Sequence, residues 1–391
     1  MTACCGNPYK GCVNTIVDAI VLGCGGGGSA ALYRLARRGL RVVGIDQFAP
    51  PHDRGSSHGE TRIIRAAYFE HPDYVPLAQA SWSAWRELET ATGATLLEAT
   101  GLAEFGPPDG IVVPGVLRAA RQHNLNVHSL TPDEAATRWP ALAGHGLDGV
   151  YEPDAGVLRV ERCVAAHLDA ARAAGAETCF STRVSGWTCG DAIAVQAGDQ
   201  EFLAERLIVT AGAWAGGLLA DVGVPLTPRR QVVAWHAAGA EMAVDAGCPC
   251  FLFELPTGVF YGFPDVDGRG AKVGDHAPGA VVADPSNLDR DLHDGERLAL
   301  EAFVRARLPF ATPTPLRHSA CMYTMSPDEH FVVDRHPSDP RVVFAAGLSG
   351  HGFKFAPVLG QALADLAVDG ATSLPIGFLS LARFARADGR S

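Results

Sequence analysis

Six residues, Gly23-Cys24-Gly25-Gly26-Gly27-Gly28, place glycines in the spacing G-x-G-x-x-G, and the acid Asp46 closes the next apolar run. The chemistry of that combination is the holding of a dinucleotide. Gly23 permits a tight turn, Gly25 lets backbone approach a pyrophosphate, and Gly28 lets a helix pack closely on a strand. A helix starting there turns N–H groups and partial positive charge toward phosphate. Asp46 is placed to accept hydrogen bonds from a ribose. Glycines alone would fit any turn in a sheet. The flanking elements strengthen the signal. Residues 19–22 form an apolar run of strand type, and residues 29–38 carry Ala31, Leu32, Leu35 and Ala36 at helical spacing. Gly39 sits where a helix stop is expected, and residues 41–45 read as a second strand. The pattern does not separate FAD from NAD.

Other residues could do chemistry beside a bound nucleotide. Gly55-Ser56-Ser57-His58-Gly59 leads into a stretch with Arg62 and Arg65 among Ile63, Ile64 and Ala66. The apolar neighbours suggest partial burial, and a buried arginine needs an anionic partner. A cofactor or a substrate carboxylate would supply one; a solvated face is the equal alternative. Thr210-Ala211-Gly212-Ala213-Trp214 is a small-residue turn after a buried-type strand, able to pack on a nucleotide. Gly347-Leu348-Ser349-Gly350-His351-Gly352-Phe353-Lys354 is a second glycine-rich loop. The ten cysteines include no C-x-x-C pair. Neither zinc nor a dithiol motif is suggested, no metal is expected, and the thiols read as reduced ones of a cytoplasmic protein.

Composition sets the frame for these motifs. The 391 residues are 47% apolar and 19% charged, as in a globular enzyme with a large core. A net charge of −11 without a long basic run argues against a nucleic-acid partner. No apolar run reaches membrane-spanning length, and the first residues lack the apolar centre of a signal peptide. Periodicity predicts helices over 74–92, 112–123, 160–174, 296–307 and 357–368. Strands are predicted over 96–105, 178–180, near Val195, over 207–209, and as neighbours over 331–334 and 342–346. The stretch 231–272 is β-rich and alternating, a separate antiparallel sheet rather than more βαβ units.

Taken together, the motifs resemble the family of monomeric sarcosine oxidases and N-methyltryptophan oxidases, amine oxidases with covalent FAD. The matching blocks are the fingerprint, residues 55–65 with Tyr74-Val75-Pro76-Leu77, Tyr261-Gly262-Phe263-Pro264, Cys321-Met322-Tyr323-Thr324 and Gly350-His351-Gly352-Phe353-Lys354-Phe355. The resemblance implies an α/β fold in two parts. A Rossmann-like FAD-binding domain of glutathione-reductase type comes from 17–90, 151–220 and 321–385. An α+β substrate domain with a mostly antiparallel sheet comes from 91–150 and 221–320, and 1–16 is an N-terminal extension carrying Cys4, Cys5 and Cys12.

The resemblance also implies roles. One FAD per chain is bonded through the Cys321 sulfur as an 8α-S-cysteinyl link, for which a thiolate is a suitable nucleophile. On its residues alone Cys321 reads as a buried core thiol. Flavin-binding residues are Gly23, Gly25, Gly28, Asp46, Ser56, Arg62, Val184, Gly212, Cys321, Gly347, Gly350, Gly352, Phe353 and Lys354. Arg65 and Lys354 match the pair that holds a substrate carboxylate, and Tyr261, His276 and Leu252 match pocket residues. His58 and Arg62 match residues beside the flavin, and Lys272 matches the lysine that activates oxygen, whose first reduction product is an anion. Lys272, Arg62, His58, Tyr261 and His276 are thus the catalytic set. The chain departs from the family pattern at Cys24, Ser57, Phe69 and Leu252; relatives often have histidine, glycine and methionine at the last three. Those changes bear on the substrate's side chain, not on the reaction.

The reaction implied is oxidation of a secondary α-amino acid, N-methylated like sarcosine or cyclic. It gives an imine and then hydrolysis products, and O2 becomes H2O2. Three alternatives stand beside it. One is a biosynthetic oxidase that desaturates a cyclic amino or imino acid of pipecolate or piperideine-carboxylate type. The second is a dehydrogenase with another electron acceptor, against which Lys272 argues. The third is a non-catalytic flavin-binding protein, against which the pairing of Arg65 with Lys354 argues. A cytoplasmic monomer is expected, with no nucleic-acid or membrane partner.

Overall fold

The computed structural model describes residues 15–385 apart from 145 and 278. The N-terminal cysteines Cys4, Cys5 and Cys12 lie outside the described residues. The four apolar residues of the strand Ala19–Leu22 are all buried, as a central parallel strand demands. It sits inside a six-stranded sheet ordered Val332–His336, Asp339–Ala346, Leu207–Val209, Ala19–Leu22, Val42–Ile45 and Glu177–Cys179. Neighbours run parallel except for the edge pair Val332–His336 and Asp339–Ala346, which are antiparallel. The helix Gly26–Ala36 starts inside the glycine run, three residues before the predicted 29. The reason is steric. A Cβ on Gly28 would meet the Gly23 carbonyl oxygen at 1.7 Å, so only glycine lets the first helical turn close on the strand end. The helix Ala356–Val368 then crosses it at Gly360, where a Cβ would lie 2.6 Å from Ala30.

The second sheet has eight strands, ordered Ala311–Met325, Thr227–Ala238, Ala271–Asp275, Gly258–Phe263, Cys250–Leu255, Leu102–Gly106, Asp148–Glu152 and His128–Leu130. All pairings are antiparallel except that of Cys250–Leu255 with Leu102–Gly106. A mostly parallel sheet and a mostly antiparallel one therefore form the expected α/β fold. The predicted single strand over 96–105 breaks at Gly101, which has φ +73, into Leu97–Glu98 and Leu102–Gly106. The two pieces enter different sheets. The first joins Gly156–Arg159, which also pairs with Thr61–Ile64. The helix Asp294–Arg307 covers the large sheet, and its Phe303 stacks on Phe260 with ring centroids 4.6 Å apart. No described helix is long and apolar enough to cross a membrane.

Two features of this frame matter for the site. The strand Ala311–Met325 runs the full length of Thr227–Ala238 and sets Cys321 opposite Gln231. The short strand Thr61–Ile64 delivers Arg62 and, just past its end, Arg65. Both come to the region where the glycine-rich loop before Ala356–Val368 ends in Lys354.

Candidate active site

A cavity of about 720 Å³ is lined by Gly23, Gly25, Gly26, Gly27 and Asp46, by Val184 and Gly212, and by Ser56, Arg62, Cys321, Tyr323, Gly347, Gly350, Gly352 and Phe353. The Asp46 carboxylate is held in place by two backbone donors, Cys24 N at 2.8 Å and Phe48 N at 2.8 Å. Ser57 Oγ accepts from Gly26 N at 3.0 Å and so caps the first helical turn. Ser56 Oγ donates to the Met322 carbonyl at 2.6 Å, tying the loop to the strand that carries Cys321. These residues fit FAD. The helix start suits a diphosphate, the fixed acid suits a ribose, and the volume lies within the roughly 300–1,000 Å³ of cofactor sites. Gly28 alone of the expected glycines is absent from the lining; it serves the close packing described above.

A second cavity of about 70 Å³ is lined by Arg65, Glu70, Leu252, Tyr261, His276 and Lys354, with Phe69 and Leu102. Arg62, Tyr323, Gly350 and Phe353 line both cavities, so the two spaces share a wall. The structure thus gathers the five residues expected to bind substrate. It also supplies Arg65 with an anion from the chain itself. Arg65 Nη2 donates to both Glu70 oxygens at 2.7 Å, and Nη1 donates to the Ala67 carbonyl at 3.0 Å. The guanidinium lies over the Tyr68 and Phe69 rings, 4.2 and 4.5 Å from their centroids. Burial pushes the Glu70 carboxyl up, but Arg65, His351 and Lys354 outweigh it and hold it at about 2. Lys354 Nζ donates to Tyr68 Oη at 3.2 Å and to the His351 carbonyl at 3.0 Å. Burial, then the positive charge of Arg65, pushes Lys354 down to about 7.

The remaining expected residues surround this shared wall. Lys272 is absent from both linings. Its Nζ donates to the carbonyls of Gly59 at 2.9 Å and Thr61 at 2.7 Å and lies 4.0 Å from the Phe263 ring centroid. Burial and the nearby Arg62 depress it well below the ordinary lysine range. Arg62 itself donates to Thr61 O and Ser56 O, both at 2.9 Å. His58 also lines neither cavity. It is buried, its Nε2 has no protein partner, and burial with Arg62 lowers it to about 4. Burial pushes the Cys321 thiol above its ordinary range, and Arg62 and Lys272 offset only part of that rise. Burial also keeps His276 neutral, and its ring stands 6.1 Å from Tyr261 and 5.9 Å from Tyr323. Glu70 and Tyr323 were missed as site residues. Glu70 follows a buried-type arginine by five positions, which was its one signal.

A carboxylate bound between Arg65 and Lys354 needs Lys354 charged. Above about pH 7 the lysine must first take up a proton, so affinity falls with rising pH. Glu104, held up at about 8 by burial, opposes an anion in the same sense once ionised. The affinity for (methylthio)acetate is therefore expected to weaken by up to about tenfold per pH unit above neutrality. Lys354→Met should remove the part of that slope centred near 7. Titration calorimetry from pH 6 to 9 checks it; a flat profile contradicts the placement of charge.

Comparison with known proteins gives this site its family. Residues 18–366 match the family described as FAD dependent oxidoreductase. The chain is 42% identical over 380 residues to a monomeric sarcosine oxidase of Streptomyces avermitilis, covering 95% of this chain and 98% of that one. It is 38% identical over 373 residues to an N-methyl-L-tryptophan oxidase of Yersinia pestis, covering 94% and 99%. Among solved structures, the open form of NikD, an unusual amino acid oxidase, superposes with a TM-score of 0.82 at 23% identity, covering 94% and 98%. L-proline dehydrogenase from P. horikoshii does so with 0.82 at 21%, covering 96% and 99%. Those two likenesses concern the fold. By the family match over most of its length and by these relatives, the chain belongs to the FAD dependent oxidoreductase family and, within it, to the group of the monomeric sarcosine oxidases and N-methyl-L-tryptophan oxidases.

Proposed function

We propose that this chain is a covalent-FAD oxidase of a secondary α-amino acid, N-methylated or cyclic, with O2 as the acceptor and H2O2 as the second product. The observation that carries it is the pair of buried cations, Arg65 and Lys354, on a small cavity that shares a wall with the dinucleotide cavity. FAD, when bound, supplies a two-electron acceptor that oxygen can regenerate. The proposed division gives 17–90, 151–220 and 321–385 to FAD and 91–150 and 221–320 to the substrate.

Arg65 and Lys354 take the substrate carboxylate, so Glu70 must give up part of the Arg65 fork. Fixing that end holds the amine-bearing carbon toward Arg62, Tyr323 and Phe353 on the common wall. His276, neutral through burial, has a ring nitrogen free to accept from the substrate N–H, and the Tyr261 and Tyr323 hydroxyls, 3.4 Å apart, add uncharged polar contacts. Cys321 is the attachment point; burial holds its thiol above the ordinary range, and Arg62 and Lys272 offset part of that. Lys272 keeps a donor near that wall for an anionic product of oxygen. The free cysteines among the described residues, Cys24, Cys163, Cys179, Cys189, Cys248, Cys250 and Cys321, support a reducing, cytoplasmic setting, and a monomer is proposed.

One holoenzyme preparation tests the reading. Acid-precipitated protein should stay yellow, the Cys321 peptide should carry the mass of FAD, and sarcosine, N-methyltryptophan, proline or pipecolate should yield peroxide. Free flavin in the supernatant overturns the attachment, and no peroxide from the panel overturns the oxidase. Lys272→Met should slow reaction with oxygen roughly a hundredfold and change anaerobic substrate oxidation much less. Equal losses in stopped flow would make Lys272 a structural lysine.

A further inference from the structure

One buried acid is not used by that reaction. Glu104 lies in the strand Leu102–Gly106 and is fully buried, and neither of its carboxyl oxygens has a partner. Leu102 lines the small cavity, and the two-residue period of a strand puts Glu104 on the same face. Register sets it opposite Leu252, another cavity residue, on one side and Val150 on the other. Leu252 and Val150 belong to one apolar cluster with Ala67, Phe69, Val112, Val113 and Val116. The charged groups facing Glu104 are Arg65, Glu152, Glu70 and Lys354. None of them turns a hydrogen bond to it. Arg65 is engaged by Glu70 and Ala67 O, Lys354 by Tyr68 and His351 O, and Glu152 accepts from the Ala66 and Ala67 N–H groups. A fully buried carboxyl with no hydrogen-bond partner is costly, and it calls for a donor that the chain does not supply.

We propose that Glu104 reads the far end of the substrate's side chain and selects an amino acid whose side chain ends in a hydrogen-bond donor. The proposal deepens the amine-oxidase reading and rests on it. With the carboxylate on Arg65 and Lys354, a side chain directed along Leu252 meets an apolar wall until it reaches Glu104. Glu104 itself lines neither cavity; Phe69 belongs both to the small cavity's wall and to the apolar cluster, and its side chain must move aside for a substrate to reach Glu104. The apolar stem packs on Leu252 and Phe69, and the terminal donor satisfies the acid.

The test compares two substrates of the same length, Nα-methylornithine and N-methylnorleucine, which differ only in ending in ammonium or methyl. Peroxide formation by the FAD-loaded enzyme gives kcat/KM for each. Wild type should favour the ornithine by about tenfold or more, because an unmet buried polar group penalises the apolar analogue. Glu104→Val should reverse the preference. Glu104→Gln keeps the shape but cannot ionise against the substrate ammonium, so it should shrink the ratio if the valine variant does not fold. An unchanged ratio in the variants overturns the proposal and leaves Glu104 to an internal water. Sarcosine, which has no side chain, separates the two levels. If it is not oxidised and neither long substrate is, the oxidase reading has failed; if it is oxidised while the long pair is treated alike by wild type, only the role of Glu104 has failed.

Discussion

Four basic side chains, Arg62, Arg65, Lys272 and Lys354, are drawn in around one junction between the two sheets, and the constraint that shapes the site is how they are held out of water, which already depresses both lysines. Burying a charge without compensation costs several kcal/mol. Here the compensation is mostly backbone. Carbonyls of Ser56, Gly59, Thr61, Ala67 and His351 accept from these four side chains. Those carbonyls belong to loops and strand ends, so their positions depend on the whole frame. One ionised acid, Glu70, answers Arg65 directly, while the nearby Glu104 is kept neutral by its burial. The junction is left rich in positive charge, which suits anionic occupants on both sides of the shared wall.

The frame explains why the cations meet. Thr61–Ile64 is paired to Gly156–Arg159, and Lys272 lies on Ala271–Asp275 inside the large sheet. Lys354 is held from behind, since its carbonyl accepts from Ser81 and, at 3.0 Å, from Trp85 Nε1 in the helix Tyr74–Thr92. That helix was legible in the sequence through its apolar spacing, and so were the glycine turn, the helix over 112–123 and the β-rich stretch. Local rules fix such elements, so a local reading finds them.

What the sequence hid was set by distant partners. The first half of Ala311–Met325 is largely exposed and carries two prolines and polar residues, and only pairing with Thr227–Ala238 makes it a strand. The helix Pro132–Arg138 was overlooked although its capping box, Thr131 with Glu134, stands in the sequence. In the candidate site, the pairing of Arg65 with Lys354 was legible only through the family resemblance, because tertiary folding brings the two together on one cavity. Glu70 and Glu104 were not legible as its neighbours. Glu104 broke an apolar run in a strand whose face could be assigned only once its register was known.

The central claim is that the charge at this junction exists to hold a substrate carboxylate beside the dinucleotide cavity. The most direct measurement compares the catalytic efficiency of the holoenzyme on an N-methyl amino acid and on its primary amide, which differ only in that charge. Losing one partner of a buried charged contact costs about 2–4 kcal/mol, so the amide should be poorer by roughly thirtyfold to a thousandfold. An amide oxidised as well as its carboxylate parent would contradict the account and make the protein a general amine oxidase.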